Sequence, residues 1–253
     1  MIGTKSKLTV DNTEDKVVLI DADSLMYFSS YGSEEDQLLS ETKLSEKIYD
    51  ILNIVGQSYN VEKYYVFVKG KNNFRYKIFA AYKKNRPAKH PIIDILNQFL
   101  VDTFQAIESH NAEADDYVFS YSQLPEYKGR AIICSVDKDM LQIPGIHYDY
   151  QKNKYHHISE EEGRYNLAIQ MIMGDAADGI QGLKGYGTVK AHKLIQKGMT
   201  DYQLKKVILN EYQKNYQTPK EAKDEIRLNY KLLKLHKVNV ETIEAEPAVS
   251  FSN

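Results

Sequence analysis

The sequence predicts an α/β protein with buried parallel strands. Two short apolar runs, Lys16–Ile20 and Arg130–Ser135, are each followed by a pair of aspartates one residue apart. Apolar runs of this length are typical of strands buried on both faces, and in open α/β sheets ligands bind at the carboxyl ends of such strands. Stretches with the apolar spacing of helices alternate with the strands. Both observations favour one sheet with acidic groups collected at one edge.

Composition limits the classes of protein to consider. The chain has 253 residues, of which 42% are hydrophobic and 27% charged, as in ordinary globular domains. The net charge of −2 gives no overall sign of nucleic-acid binding, so the distribution of charge matters more than its total. With no long apolar run and no signal-peptide pattern, we expect a soluble cytoplasmic protein. The single cysteine, Cys134, excludes a disulfide and is expected to be a buried strand residue.

In the first half of the chain, residues 1–15 are expected to form a flexible lead-in. Apolar spacing then predicts several elements after the first strand. They are a helix over 41–58, a strand over Tyr64–Val68, a helix over Ile92–Asp102 and a short strand over Phe104–Ile107.

The second half begins with a predicted helix that carries Glu113 and runs on through Tyr121. The later predicted elements are the strand Arg130–Ser135, a hairpin over His147–His157, a helix opened by Ser159 and ending near Met173, helices over 201–215 and 219–236, and a loosely held tail from about Val240. The hairpin is rich in Tyr and His. We expect His147, His156 and His157 to belong to a packing surface rather than a metal site.

A basic window runs from Lys63 to Ile93 without a single Asp or Glu. Its charged residues after the strand are Lys69, Lys71, Arg75, Lys77, Lys83, Lys84, Arg86 and Lys89, with aromatic residues between them. A long stretch of one charge is costly unless it meets an anion. Cations interleaved with aromatic rings suit a nucleic-acid strand, whose phosphates meet the cations and whose bases stack on the rings. The alternative is a solvated helix face.

A second notable segment joins two aspartates to a run of glycines. Asp175 and Asp178 are three residues apart, so on a helical turn their carboxylates would face the same way. Gly182, Gly185 and Gly187 follow, and then Thr188 as the expected N-cap of a helix that carries Lys190. Glycines bring backbone N–H groups close to a ligand, and a helix N-terminus favours an anion. This segment suggests a nuclease, although the glycine pattern alone is also typical of an ordinary turn.

The candidate metal-binding acids are Asp21, Glu113, Asp115, Asp116, Asp137, Asp139, Asp175 and Asp178. If they converge, two carboxylates about 4 Å apart repel each other by roughly 4 kcal/mol at an effective dielectric near 20, so cations are required. Oxygen ligands without committed Cys or His favour Mg²⁺ or Mn²⁺ over zinc, and two such ions suit phosphodiester hydrolysis. Asp23 either joins this group or caps the turn or helix after the first strand.

Six motifs, taken together, resemble the 5′-nuclease, or flap endonuclease, family of phages and bacteria. That family includes the 5′-nuclease domain of bacterial DNA polymerase I. The resemblance covers residues 16–200 and is carried by Val18-Leu-Ile-Asp21, Tyr82-Lys-Lys-Asn-Arg86, Glu113-Ala-Asp-Asp116, Ser135-Val-Asp-Lys-Asp139, Met173-Gly-Asp-Ala-Ala-Asp178 and Gly182-Leu-Lys-Gly-Tyr-Gly187.

The resemblance implies a mixed, largely parallel sheet flanked by helices, a helical arch over the site, and a helix-three-turn-helix that grips duplex DNA. We accordingly expect a catalytic core over 16–160 with the arch at 69–90, a helical region over 161–239 with the helix-three-turn-helix near 174–198, and a tail over 240–253.

The resemblance also implies roles for individual residues. It makes the eight acids the ligands of two metal ions, brings Lys83 and Arg86 to the scissile phosphate, and makes Gly182, Gly185 and Gly187 a hairpin that holds the duplex, in the family often with K⁺. Further DNA contacts are expected from Lys69, Lys71, Arg75, Lys84, Lys184 and Lys190.

The implied activity is that of a Mg²⁺-dependent, structure-specific 5′-nuclease that acts in replication at DNA ends and 5′ flaps, with RNA in an RNA–DNA hybrid as an additional substrate. A monomer without membrane association is expected. One alternative is a ribonuclease of the PIN-domain type, disfavoured because such domains are shorter and lack the glycine hairpin. Another is a catalytically weakened DNA-junction binding protein, and the last is an α/β protein with dispersed acids.

One position departs from the family pattern. The family usually has an aspartate at the end of the second strand, where this chain has Val68 followed by Lys69. Our hypothesis is that Asp23 partly replaces the missing carboxylate.

Overall fold

The computed structural model describes residues 14–240 and contains a six-stranded sheet. Its strands are β1 Lys16–Asp21, β2 Val61–Val68, β3 Ile107–Glu108, β4 Ala131–Cys134, β5 Gly145–Asp149 and β6 Lys154–Ile158. The spatial order is β3-β2-β1-β4-β5-β6, and all pairings are parallel except that of β5 with β6. The predicted mixed, largely parallel α/β sheet is therefore confirmed. The predictions for residues 1–13 and 241–253 lie outside the described residues.

Nine α-helices flank the sheet or follow it within residues 14–240. They are α1 Asp23–Ser30, α2 Gln37–Ser58, α3 Phe74–Ile78, α4 Ile92–Phe104, α5 Ala114–Ser122, α6 Glu160–Met173, α7 Thr188–Leu194, α8 Asp201–Asn215 and α9 Pro219–Leu233. A short 3₁₀ helix spans Lys138–Gln142, and a small hairpin pairs β7 Gly174–Asp175 with β8 Ile180–Gln181.

The sheet is buried on both faces, as the uninterrupted apolar strands predicted. Val18 and Ile20 of β1 belong to the apolar cluster that includes residues of α2 and α4. Val17 and Leu19 point the other way, into the cluster that includes α5. Cys134 is fully buried in the first cluster, as expected. Each such aliphatic side chain contributes on the order of 1.5–3 kcal/mol by leaving water.

Side-chain caps set where several helices begin. Asp36 accepts a hydrogen bond from the backbone N–H of Leu39 at 2.9 Å, so α2 starts four residues earlier than predicted. Ser159 does the same for the N–H of Glu162 at 3.1 Å, at the predicted start of α6. In contrast, the short strand predicted over Phe104–Ile107 is wrong in its bounds. Helix α4 continues to Phe104 and β3 contains only Ile107–Glu108.

Helices α6 to α9 form a further layer with its own apolar cluster. Its centre is Tyr212, whose hydroxyl donates to the carbonyl of Met171 at 2.6 Å and accepts from Asn229 Nδ2 at 2.9 Å. After α9 the chain returns to the sheet, where Val240 is buried in the cluster beside α5. Val240 itself is thus packed against the core, and the rest of the predicted tail lies outside the described residues. In the described part of the chain, no helix is long and apolar enough to cross a membrane.

Two helical glycines provide a matched test of this packing. A Cβ on Gly56 of α2 would meet nothing within 4 Å, whereas one on Gly163 of α6 would lie 2.5 Å from the carbonyl oxygen of Gln142. We expect Gly56→Ala to raise the free energy of unfolding by about 0.5–1 kcal/mol, because alanine favours the helix. Gly163→Ala should lower it by about 1–3 kcal/mol, because α6 must move away from the 3₁₀ helix. Urea unfolding of both variants checks this, and a stabilised Gly163→Ala protein would contradict the packing.

Candidate metal and nucleic-acid site

A cavity of about 440 Å³ lies at the carboxyl edge of the sheet, where the ends of β1, β2 and β4 meet. Carboxylates and cations line it together. The acids that line it include Asp21, Asp23, Glu113, Asp115 and Asp137, and the cations are Lys69, Lys71, Lys83, Arg86 and Lys89. The acids at the ends of β1 and β4, the acids at the start of α5 and the basic residues between 69 and 89, called the basic segment below, therefore do share one site.

Asp21 and Asp137 are joined by a serine that the sequence analysis missed. Ser135 Oγ donates to Asp21 Oδ2 at 2.8 Å and accepts from the backbone N–H of Asp137 at 2.9 Å. Burial, reinforced by the charge of Asp23, raises the pKa of Asp21 to about 7. The position of Ser135 in the sequence, between the apolar strand and Asp137, could have indicated that it orients these two acids.

Helix α5 presents its acids in two directions. Glu113 and Asp115 line the cavity, and burial together with the charges of Asp21 and Asp137 raises the pKa of Asp115 well above its ordinary range. Asp116 is fully buried elsewhere. Its carboxylate accepts hydrogen bonds from the backbone N–H groups of Glu113 at 3.1 Å and His236 at 2.8 Å, and it pairs with Arg75.

The pairing of Arg75 with Asp116 corrects two expectations. Two nitrogens of Arg75 donate to the two oxygens of Asp116 at 2.6 and 3.0 Å, and Arg75 also donates to the carbonyls of Leu232 at 2.9 Å and Lys234 at 3.1 Å. Arg75 is 1% exposed. It therefore cannot contact DNA in this conformation, and Asp116 has a cation and backbone donors instead of a metal-facing position.

Two cations of the basic segment contact acids of the site directly. Lys83 pairs with Glu113 and lies 3.7 Å from Asp178, while Arg86 pairs with Asp178. Burial acts to lower the pKa of Lys83, but these two carboxylates outweigh it and raise that pKa. Lys83 has a left-handed backbone with φ of 54°, fixed by a hydrogen bond from its N–H to the carbonyl of Asp178 at 2.9 Å.

Tyr82, which opens the motif Tyr82-Lys-Lys-Asn-Arg86 but was given no role from the sequence, is buried between Glu113 and Asp178. Its hydroxyl lies 2.9 Å from Glu113 Oε2 and 2.8 Å from Asp178 Oδ2, so it donates to either carboxylate. Burial and the charges of both acids raise its pKa strongly, and it remains a neutral donor. Within the expected arch over 69–90, only α3 is helical, and residues 80–85 form turns.

The second group of acids contains Asp139, Asp175 and Asp178. The expectation that Asp175 and Asp178 lie on a helical turn is wrong, because Asp175 ends β7 and Asp178 lies in the turn before β8. Lys138 pairs with Asp175 at 2.8 Å. Asp139 accepts a hydrogen bond from the amide of Gln170, and burial, with the charges of Asp137 and Asp175, raises its pKa to about 7.

Ion pairing divides the acids into two classes. Glu113, Asp116, Asp175 and Asp178 each have a lysine or arginine partner. Across residues 14–240, Asp21, Asp23, Asp115, Asp137 and Asp139 form no ion pair, and the first four of these line the cavity. Four carboxylates in one cavity without a direct cation are unfavourable by themselves. The unpaired set is therefore the part of the site that most needs an added cation.

The donors fit a hard divalent cation in their chemistry, because all are carboxylate oxygens and one is already oriented by Ser135. Within the described residues, however, no group of three or more His, Cys, Asp or Glu side chains is arranged to hold a metal ion as it stands.

The glycine segment connects the β7–β8 hairpin to α7. A Cβ on Gly182 would lie 2.1 Å from the carbonyl of Met173. Close packing therefore explains why this position is a glycine. Gly185 has φ of +80° and is exposed, as is Gly187, which caps α7 in place of the predicted Thr188. Lys184 and Lys190 are also exposed, and Lys190 Nζ lies 3.6 Å from the centre of the Tyr186 ring.

The remaining lysines that were predicted to contact DNA lie at the protein surface. Lys69, Lys71 and Lys84 are exposed, and the first two line the cavity. His147, left out of the site, is buried, and burial lowers its pKa to about 4.

Two comparisons of sequence bear on the family. The protein-family model described as "5′-3′ exonuclease, N-terminal resolvase-like domain" matches residues 16–167. A 5′-3′ exonuclease of Buchnera aphidicola (subsp. Schizaphis graminum) is 31% identical over 208 residues, which are 73% of this chain and 71% of that protein. The flap endonuclease Xni of Colwellia psychrerythraea is 25% identical over 191 residues, 66% of each chain.

A solved structure supports the fold. The D15 flap endonuclease of bacteriophage T5, in a pseudo-enzyme-product complex with DNA and metal ions, superposes with a TM-score of 0.63 over 87% of this chain and 89% of that chain. The two sequences are 15% identical, so this likeness concerns the fold.

The buried ion pair gives a stability test. Asp116→Asn should lower the free energy of unfolding by about 3–5 kcal/mol, because Arg75 would remain buried with only the more distant Glu113 carboxylate, 3.6 Å away, as counter-charge. Glu62→Gln, which removes the carboxylate of the exposed pair with Arg130, should cost at most about 1 kcal/mol. Urea unfolding measures both. A stable Asp116→Asn protein that had lost its response to divalent cations would instead make Asp116 a ligand.

The raised pKa values of Asp21 and Asp139 predict a pH dependence in EDTA. Both titrate near 7 in the folded state against an ordinary 3.8, so between these values the folded state holds more protons than the unfolded state. Stability should therefore fall as pH rises from about 4 to 7. His147 has the opposite sign in this range, so the test compares wild type with Asp21→Asn. The variant should show a smaller fall in melting temperature, and parallel curves would contradict the assignment.

Proposed function

The chain belongs to the 5′-3′ exonuclease family, and from that premise we propose that it is a Mg²⁺-dependent nuclease that hydrolyses phosphodiester bonds at DNA 5′ ends and 5′ flaps. The observation that carries the proposal is the composition of the cavity. Carboxylates that form no ion pair within residues 14–240 line the same cavity as four lysines and one arginine, Lys69, Lys71, Lys83, Arg86 and Lys89. Such a site suits a polyanion whose reacting phosphate meets divalent cations.

Asp21, Asp115 and Asp137 would hold the first ion, because they share the cavity and have no ion-pair partner among the residues described. Asp139, Asp175 and Asp178 would hold the second. When bound, the ions supply Lewis-acid stabilisation of the charge that develops on the phosphate. Oxygen donors favour Mg²⁺, with Mn²⁺ as a substitute. Glu113 would act beside them, since it lines the same cavity.

Lys83 and Arg86 are the proposed catalytic cations. Both side chains already contact acids of the site, Lys83 through Glu113 and Arg86 through Asp178. A phosphate positioned there would offer them an alternative anion, and cations aimed at developing charge are among the largest contributions to catalysis. Tyr82 would keep Glu113 and Asp178 oriented through its hydroxyl.

Binding of the duplex is assigned to the glycine segment and to surface lysines. Gly185 and Gly187 are open to solvent, so their backbone can approach a phosphate, and a K⁺ ion there is part of the proposal. Lys184 and Lys190 would contact the backbone of the duplex, while Lys69, Lys71 and Lys84 would contact the strand that enters the cavity. RNA in an RNA–DNA hybrid is proposed as a second substrate.

The rival is a catalytically weakened junction-binding protein. It rested on Val68 alone, and membership in a family of named exonucleases and flap endonucleases does not favour it. We further propose that the enzyme acts as a monomer, in the cytoplasm of a bacterial or phage-infected cell, during replication. The division into a core over 16–160 and a helical region over 161–239 remains part of the same proposal.

Cleavage of an end-labelled 5′-flap DNA tests the function directly. Wild type should cut near the flap junction in Mg²⁺ and not in EDTA. Asp137→Asn should bind the flap but lose cleavage, because one unpaired carboxylate is gone. Binding without cleavage by wild type in Mg²⁺ would support the junction-binding protein instead.

Lys83→Met tests the role of the basic segment. Its single-turnover rate at saturating DNA should fall about 10²–10³-fold, because the cation acts on charge that develops during the reaction. Lys77→Met, which removes an exposed lysine from α3, should leave the rate near that of wild type. An equal effect of both substitutions would mean that Lys83 contributes only to the general attraction of DNA.

A further inference from the structure

Asp23 occupies an unusual position for the first residue of a helix. It does not cap α1, whose N-cap Ala22 makes no side-chain hydrogen bond. Instead, Asp23 Oδ1 accepts a hydrogen bond at 2.9 Å from the backbone N–H of Lys69, the residue that follows β2. The carboxylate therefore leaves its own helix and lies at the carboxyl end of the neighbouring strand.

Strand β2 supplies no acid of its own at this place. Val68, its last residue, is fully buried in the apolar cluster that includes α2 and α4, so its side chain is directed away from the cavity. Lys69 is exposed and positively charged. β1 ends in Asp21 and β4 is followed by Asp137. At the end of β2, Asp23 accepts the hydrogen bond from Lys69 N–H, and Glu108 of the neighbouring β3 lies beside Val68.

Charges of both signs act on Asp23: Lys69 and Lys83 favour its ionised form, and Glu113 opposes it. Asp23 lines the cavity with Asp21, Asp115 and Glu113, and it forms no ion pair within the part of the chain that the structure describes. Lys83 pairs with Glu113 rather than with Asp23. One backbone hydrogen bond engages Oδ1 and leaves Oδ2 without a donor among the described residues. Asp23 Oδ2 is not among the buried polar atoms that lack a partner, so it is open to solvent and to an added cation.

We propose that Asp23 belongs to the divalent-cation site formed by Asp21, Asp115 and Asp137, and contacts the ion or its water through Oδ2 while Lys69 N–H fixes Oδ1. The inference rests on the proposed function, because it assumes that Mg²⁺ binds at this edge. Asp23, which lies just after β1 at the start of α1, would thereby provide the carboxylate that β2 does not carry at its own end. The competing interpretation is structural: Asp23 would only fasten α1 to the end of β2.

Asp23→Asn separates the two interpretations. The amide keeps an oxygen that can accept from Lys69 N–H, so the fastening is preserved while the charge is removed. Asp94→Asn is the matched control, because Asp94 lines the same cavity from α4 but is exposed and paired with Lys89. The readout is the rise in melting temperature on titration with Mg²⁺, without DNA and without turnover.

We expect Asp23→Asn to need about 10-fold more Mg²⁺ than wild type for half of the full rise, since residues that orient or assist metal ligands change affinity by about 10–100-fold. Asp94→Asn should titrate like wild type. Asp21→Asn should lose the response altogether. If Asp23→Asn folds poorly without Mg²⁺, Asp23→Ser offers a second neutral acceptor to Lys69 N–H, and the same 10-fold shift is expected.

The outcomes distinguish this inference from the function on which it rests. A wild-type titration by Asp23→Asn, together with loss of the response in Asp21→Asn, would overturn the role of Asp23 and leave the divalent-cation site intact. A wild-type response in Asp21→Asn as well would refute the site itself, and the role of Asp23 with it. An equal shift in Asp94→Asn would also overturn the inference, because general charge in the cavity would then explain the effect.

Discussion

The buried pair between Arg75 and Asp116 fixes the geometry of the whole site. It joins the basic segment to helix α5, and both partners are completed by backbone groups at the end of α9 and after it, the carbonyls of Leu232 and Lys234 and the N–H of His236. Three distant parts of the chain thus meet at one charge pair. Because Asp116 is held there, the start of α5 is fixed and Glu113 and Asp115 are directed into the cavity.

The same segment that supplies Arg75 also balances much of the remaining negative charge. Lys83 and Arg86 pair with Glu113 and Asp178, so the long window without acids is complementary to acids elsewhere in the chain. The cations that would contact a phosphate already have anionic partners, and a substrate must replace these contacts. Asp21 and Asp137, at the ends of β1 and β4, have no such partner within residues 14–240. This difference in pairing separates the proposed metal-binding acids from the cations proposed to contact phosphate.

The hairpin between α6 and α7 shows how backbone contact decides the role of a residue. Gly174 and Gly182 lie against each other so closely that neither position accommodates a Cβ. This contact makes the turn that brings Asp175 and Asp178 towards the 3₁₀ helix and the basic segment. A glycine that a motif associates with DNA can therefore be required for the hairpin itself, as Gly182 is, while Gly185 and Gly187 remain open to a ligand.

Local sequence was enough to predict the strands that end in Asp21 and before Asp137, most of the helices, and the family, because apolar period, capping residues and motif order are local properties of the chain. It could not indicate which acids have partners. Arg75 and Asp116 are 41 residues apart and Arg86 and Asp178 are 92 apart, and no local pattern encodes such contacts. Only the folded chain shows that Asp116 is in a buried ion pair, that Asp175 and Asp178 lie on a hairpin, and that Asp23 contacts the end of β2. Burial and pairing depend on which distant segments meet in the fold, and neighbours in sequence do not determine this.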